Sequence, residues 1–177
     1  GAHALGMLLM LMNHLKRSDH EVRNSIWKRA ENRGHEIAGR TIGIIGYGNM
    51  GSAFAKKLKG FDCEILVYDK YKTGIVGEHI KESSLYEIYE KADVVSIHLP
   101  LTQETNNYID DNFISQFKKN IYVINTARGK CLNTTDLVKH LNTGKVIGAC
   151  LDVLEYESVS FENIDTTTLP EPMQYLL

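Results

Sequence analysis

The stretch Thr41-Ile-Gly-Ile-Ile-Gly-Tyr-Gly-Asn-Met-Gly51 constrains the fold of this chain more than any other. Thr41 to Ile45 is short, apolar and β-branched, the pattern of a strand buried on both faces. The turn Gly46-Tyr47-Gly48 follows and leads through Asn49 and Met50 to Gly51. Ser52 to Lys59 then has helix-forming character, with Ala53, Phe54, Ala55 and Leu58 apolar. A second apolar run, Cys63 to Tyr68, ends at Asp69. Strand, glycine turn, helix, strand and acid, in that order, make a dinucleotide-binding fingerprint. Gly46 permits the tight turn, Gly48 lets the backbone approach a pyrophosphate, and Gly51 lets helix pack on strand. Amides near Asn49 and Met50 point at the phosphates, with the helix dipole behind them. Asp69 can accept hydrogen bonds from both adenosine ribose hydroxyls. Its charge opposes the 2′-phosphate of NADP, so the expected cofactor is NAD. The bland alternative is a glycine-rich turn in an unrelated parallel-sheet protein.

Bulk properties narrow the classes. The chain has 177 residues, 43% of them hydrophobic, enough for one good-sized domain with a real core. A net charge of -2 gives no electrostatic footprint for nucleic acid or an anionic membrane surface. Cys63, Cys131 and Cys150 share no metal-ligand spacing and read as reduced core or near-core residues of an intracellular, cytoplasmic protein, with a disulfide as the lesser alternative and no metal site expected. Ala2 to Leu15 is apolar but too short, and too interrupted by His3, Asn13 and His14, to span a bilayer. It lacks a basic leader and a cleavage site, and is read as a buried helix. The chain starts at Gly1 without a methionine and is read as a piece cut from a longer protein.

From the N-terminus, the expected elements are a helix over 2–16, covered on several sides, then a charged, irregular arm over 17–39 carrying the single tryptophan, Trp27. Two readings of Trp27 stand: tucked onto the surface of a solvated connection, or anchored in a partner subunit. Over 40–157 the pattern alternates. Strands are expected at 41–46, 63–68, 93–99, 121–126 and 146–151, with a weak one near His79 to Lys81. Helices are expected at 50–59, 84–91, 110–117 and 134–142, with capping residues at Ser83 or Ser84 and at Asn133, and a stop at Gly144. This rhythm implies a Rossmann-type, doubly wound parallel α/β sheet in three α/β/α layers. The tail 158–177 is turn-rich and ends in Met173-Gln-Tyr-Leu-Leu.

Ligands of an open parallel sheet bind outside the carboxyl ends of its strands, and polar groups gather there. After the third main strand come His98-Leu99-Pro100 and Thr105. After the fourth come Asn125, Thr126, Ala127, Arg128 and Gly129, and after the fifth Asp152 and Glu157. His98 is read as a wall of the adenine pocket or a satisfied strand-end histidine. Arg128 is a carbonyl cap or an anion clamp. Asp152 is a cap or turn residue, and Glu157 alone reads as a solvated acid. Lys70 and Lys72 read as surface charges.

Taken together, His3-Ala-Leu-Gly-Met-Leu-Leu, Gly39 to Gly51, Ala92-Asp-Val-Val-Ser-Ile-His-Leu-Pro-Leu-Thr102, Asn125-Thr-Ala-Arg-Gly129 and Leu151-Asp-Val-Leu-Glu155 carry a resemblance. The chain resembles the nucleotide-binding domain of the D-isomer-specific 2-hydroxyacid dehydrogenases, most of all the D-3-phosphoglycerate dehydrogenases. D-lactate dehydrogenases and glyoxylate or hydroxypyruvate reductases of the same family are the alternatives, and NAD-sensing corepressors are one of another class. The resemblance implies an NAD-dependent oxidoreductase acting on a small 2-hydroxy or 2-keto acid, and a homodimer through the N-terminal helix and arm. It puts the family's catalytic arginine on Arg128 and its catalytic glutamate on Glu157. Asp152 falls near the nicotinamide, with Leu99, Pro100, Thr105, Thr126 and Ala127 in the cofactor set. Where the family has proline after the glutamate, Ser158 stands here. The family's acid/base histidine follows that glutamate, yet none of the seven histidines lies beyond His140. That histidine and the substrate domain are therefore expected outside these residues, in an enzyme roughly twice the size.

Overall fold

The computed structural model describes residues 1–156 and 170–172. Its elements are α1 (Ala2–Met12), α2 (Leu15–Arg23), β1 (Thr41–Ile45), α3 (Asn49–Leu58), β2 (Glu64–Tyr68), β3 (Val76–Gly77), β4 (Ile80–Glu82), α4 (Leu85–Lys91), β5 (Val94–Ile97), α5 (Asp111–Ser115), β6 (Ile121–Asn125), a 3-10 turn (Gly129–Cys131), α6 (Thr134–Asn142) and β7 (Val146–Leu151). The strands form a seven-stranded sheet in the order β3-β4-β2-β1-β5-β6-β7. The pairings of β2, β1, β5, β6 and β7 are parallel, as is β2 with β4. Only the short outer pair β3–β4 is antiparallel. The chain runs outward from β1 through β2 to the outer pair β3–β4, then returns to the other side of β1 and continues through β5, β6 and β7. The switch point therefore lies between β1 and β5, where a doubly wound sheet opens a crevice.

Each face of the sheet is covered, which is why the strand bodies read as continuous apolar runs. On one face, Ala4, Leu8 and Met12 of α1 and Phe54, Ala55 and Leu58 of α3 pack on Ile42, Ile44, Ile65, Val67, Val94 and Ile124. On the other, Ile88 of α4, Phe113 and Ile114 of α5 and Leu137 of α6 pack on Ile45, Leu66, Val95, Ile97 and Val123. The three-layer α/β/α architecture is as expected. The expected caps Ser84 and Asn133 accept from the amides of Glu87 and Asp136 at the starts of α4 and α6, and Asp110 likewise caps α5 from the Phe113 amide.

The N-terminal region differs from the expectation. No single helix runs over 2–16. Asn13 ends α1, and His14 sits in the left-handed region at φ 52°. The chain then turns into α2, so the first part of the expected irregular arm is helical. Asn13 and His14 are poor helix interiors, and the Asn13 side chain bonds back to the Leu9 carbonyl at 3.0 Å, which favours the break. Nor is α1 buried all round. Its buried side is the stripe Ala4, Leu8, Met12, and full burial of a leucine such as Leu8 contributes about 1.5–3 kcal/mol. Met10 faces out. Trp27 is 82% exposed within the chain, so it is not tucked onto its own domain. Strand β5 is shorter than the expected 93–99, because His98 and Leu99 already belong to the loop beyond the sheet.

Candidate functional site at the carboxyl ends of the strands

The glycine turn after β1 is built by steric necessity. Gly46 has φ 92°, and a Cβ there would lie 2.6 Å from the His98 carbonyl oxygen. A Cβ on Gly51 would meet the Gly46 carbonyl oxygen at 2.1 Å, so only glycine lets α3 start against β1. Gly48 has nothing within 4 Å on that side, which leaves room for a ligand. Unlike α4, α5 and α6, α3 has no side chain capping its first turn, and Asn49 and Met50 there are exposed. Its free amides and the helix dipole face the open space beside Gly48.

Asp69 at the end of β2 does more than wait for a ribose. Its Oδ2 accepts from the Tyr47 amide at 2.7 Å, and its Oδ1 accepts from the amides of Tyr71 and Lys72 at 2.9 and 3.0 Å. Burial pushes its pKa up, but the three amides and the Lys72 charge outweigh that and hold it below the ordinary value. A carboxylate has about four lone-pair sites. One therefore remains for a ribose hydroxyl, and accepting from both hydroxyls requires an amide to be released. Lys72 is not a loose surface charge either: its Nζ donates to the Tyr47 carbonyl at 2.9 Å, pinning the glycine turn from outside.

Between the loops after β1, β2 and β5 lies a cavity of about 310 Å³, lined mainly by Ile45, Tyr68, Leu99, Pro100 and Tyr108, with Gly46, Gly48 and Asp69 at one side. Thr105 shapes its wall, donating from its hydroxyl to the Pro100 carbonyl at 2.6 Å and accepting from the Thr102 amide at 2.8 Å. The His98 ring is turned away towards α3. It packs 5.6 Å from Phe54, and its Nε2 lies 2.8 Å from Ser96 Oγ, while its Nδ1 has no partner. Burial pushes its pKa down to about 4, so it is neutral near pH 7. His98 thus meets the cleft through its backbone.

At the end of β6, the buried Asn125 organises the next loop. Its Oδ1 accepts from the Ala127 amide, its Nδ2 donates to the Arg128 carbonyl, and its carbonyl accepts from the Asp152 amide, all within 3.0–3.1 Å. Arg128 is exposed, and its Nη1 donates to the Ala127 carbonyl at 2.7 Å, so one donor caps a carbonyl and the other guanidinium donors have no partner among the described residues. Thr126 Oγ1 is buried with no partner among the described residues. Gly129 lies so close to the following loop that a Cβ would meet the Leu154 carbonyl oxygen at 1.9 Å. Asp152 pairs with His3 at 3.0 Å, across the domain from the start of α1. Glu155 accepts from the Thr134 amide at 2.7 Å, at the start of α6. Asn125, Glu155 and His3 all fall in the motifs read from the sequence, but the local pattern gave none of them these partners. Glu157, the tail 158–169 and the final stretch 173–177 lie outside the described residues.

The arrangement fits a dinucleotide on several independent counts. The space at Gly48 faces uncapped helix amides, Asp69 has an open acceptor site beside an apolar slot, and Thr126 Oγ1 is unpaired at the neighbouring strand end. Residues 5–172 match the family of the D-isomer specific 2-hydroxyacid dehydrogenase, NAD binding domain. The chain belongs to that family. This D-2-hydroxyacid dehydrogenase domain is 39% identical over 160 residues to a glyoxylate reductase of Thermofilum pendens, matching 86% of the chain and 47% of that protein. It is 34% identical over 157 residues to the D-3-phosphoglycerate dehydrogenase of Bacillus subtilis, matching 88% of the chain and 30% of that protein. The D-lactate dehydrogenase of Lactobacillus jensenii, solved with NAD+, superposes with a TM-score of 0.87 at 26% identity, over 99% of this chain and 54% of that one. The chain thus spans about half or less of the length of these relatives, and NAD is the cofactor of the family domain. Among the described residues no helix is long and apolar enough to cross a membrane.

Proposed function

We propose that residues 1–157 are the cofactor half of an NAD-dependent oxidoreductase acting on the CH–OH group of a small 2-hydroxy acid, with 158–177 the start of a connection and the substrate domain elsewhere in the enzyme. The observation that carries this is the placement of the open fork of Arg128 at the end of β6, on the same edge of the sheet as the uncapped glycine turn and Asp69. Bound NAD supplies the hydride acceptor at its nicotinamide. The amides of Asn49 and Met50 and the space at Gly48 hold the pyrophosphate, and Gly46, Tyr47 and Gly51 keep that turn in place. Asp69 accepts from the ribose. Leu99, Pro100 and Thr105 wall the adenine, with His98 contributing backbone. Thr126, Ala127 and Asp152 line the nicotinamide end. Arg128 holds the substrate carboxylate with its free donors and keeps the reacting carbon in place. Glu157 holds a histidine supplied by the rest of the enzyme and raises its pKa, so that it gives and takes the hydroxyl proton.

Within this class the proposed reaction is oxidation of 3-phosphoglycerate to 3-phosphohydroxypyruvate, the opening step of serine biosynthesis. The reading draws on the motif resemblance and on the similarity to the Bacillus subtilis enzyme. The 39% identity to a glyoxylate reductase supports a second reading, reduction of glyoxylate or hydroxypyruvate. The proposed assembly is a homodimer through α1, α2 and the arm, where Met10, Leu15, Val22, Ile26 and Trp27 are all exposed. The whole enzyme should be assayed with NADH and glyoxylate, pyruvate, hydroxypyruvate or 3-phosphohydroxypyruvate. A highest kcat/KM for 3-phosphohydroxypyruvate supports the first reading, and one for glyoxylate or hydroxypyruvate supports the second. No turnover with any 2-keto acid overturns both and leaves an NAD-sensing binding protein.

A further inference from the structure

Two loops wall the cofactor cleft, one after β2 and one after β5, and a single acid ties them together across its mouth. Lys70 Nζ lies 2.5 Å from Glu104 Oε2, and the Tyr71 hydroxyl donates to the same oxygen at 3.4 Å. Lys70, Tyr71 and Glu104 line the same cavity as Asp69. The Lys70 ammonium also sits 5.6 Å from the Tyr71 ring centre, so lysine and tyrosine hold one another at the edge of the slot. Lys72, the other cation here, is committed to the Tyr47 carbonyl. The charged groups at this end of the cleft are thus Asp69 and Glu104 against Lys70 and Lys72, and they cancel.

That cancellation matters for one chemical distinction. A 2′-phosphate on the adenosine ribose carries about -1.5 to -2 charges and three strong acceptor oxygens. Asp69 repels it, but an ammonium one residue along the chain would offset that repulsion. Here the ammonium is already held by a carboxylate. The Lys70 and Glu104 side chains are 55% and 62% exposed, so the pair lies at the solvent edge of the cleft, and a 2′-phosphate reaches the ammonium only by displacing Glu104 from it. We propose that Glu104 is a second specificity-determining residue for the cofactor, acting through Lys70: by occupying the lysine it denies a 2′-phosphate its counter-ion and keeps the site selective for NAD. The inference rests on the NAD assignment. It differs from the role of Asp69, which repels the phosphate directly.

The test compares the full chain with Glu104→Gln, Lys70→Ala and the double variant. Calorimetry would measure binding of NAD, NADP, 5′-AMP and adenosine 2′,5′-bisphosphate at low and high salt. Glu104→Gln should raise the NADP-to-NAD affinity ratio about tenfold at low ionic strength, as expected for one unscreened charge a few ångströms from a phosphate. The bisphosphate-to-AMP ratio should move with it. The gain should shrink at about 1 M salt, where the Debye length is near 3 Å, and vanish when Lys70 is also removed. An unchanged ratio in Glu104→Gln overturns the proposal, as does a gain that survives Lys70→Ala. Equal weakening of all four ligands, meaning that Glu104 only props the loop, also overturns it. A parent chain that binds neither NAD nor 5′-AMP overturns the cofactor assignment itself, and this inference with it.

Discussion

The Cα–H of Gly51 points straight at the carbonyl of Gly46, so close that a Cβ on Gly51 would lie 2.1 Å from that oxygen. This contact fixes where α3 begins relative to β1, and hence where its uncapped amides point. Gly51→Ala should force the helix off the strand. It should cost about 1–3 kcal/mol of stability in urea unfolding, in the range of overpacked cores, and abolish measurable NAD binding. Gly48→Ala, with open space around it, should leave stability nearly unchanged and weaken NAD binding alone. Equal stability loss in both variants would contradict this division of labour.

His98 makes stability depend on mild acid. Its pKa is pushed down to about 4 by burial, against about 6.5 when unfolded. Between these values the unfolded chain binds the extra proton, so stability rises with pH across that window and falls as pH drops from about 6.5 towards 4. The full shift corresponds to roughly 3 kcal/mol. His98→Gln should flatten this part of the curve, whatever its effect at pH 7. Urea midpoints taken between pH 4 and 7 would show it, and an unchanged slope would remove His98 as the cause.

Arg128 carries little of the fold, since its side chain is exposed and its guanidinium donates to the adjacent Ala127 carbonyl. In the whole enzyme, Arg128→Ala should leave the melting temperature and NAD affinity nearly as they were. Turnover should fall by about 100-fold or more, the scale of losing a preorganised charge donor. Normal kcat with weakened NAD binding would reassign the residue to the cofactor.

Asp69→Asn keeps the shape but removes the charge that three amides and Lys72 face. NAD affinity should drop by about tenfold, as for one lost charge-assisted hydrogen bond, while NADP affinity should fall less or rise. Calorimetric titration with both cofactors checks the ratio. Preserved preference for NAD would show that Asp69 supports the loop without reading the ribose.

Trp27 is 82% exposed within the chain. In the proposed homodimer it should become shielded, so its emission should be blue-shifted and poorly quenched by iodide. Trp27→Ala should shift light scattering from dimer towards monomer. A monomer with a fully quenchable Trp27 would reject the interface.

Much of this molecule was legible in the chain because it is governed by short-range rules. Short continuous apolar runs marked β1, β2, β5, β6 and β7, and helix-forming stretches with capping residues marked α3 to α6, to within a few residues. Ser84 and Asn133 cap the helices they precede. Gly46, Gly51 and Asp69 stand where backbone sterics and strand order require them. The tertiary structure decided what depends on groups far apart in sequence. It broke the first helix at His14, turned the His98 ring onto Phe54, and filled most of the acceptor capacity of Asp69 with amides from its own loop and from the glycine turn. It also brought His3 to Asp152 across 149 residues and Lys70 to Glu104 across 34. Local sequence holds no record of such pairings, because a charged side chain reads as solvated until the fold brings its partner within hydrogen-bonding reach.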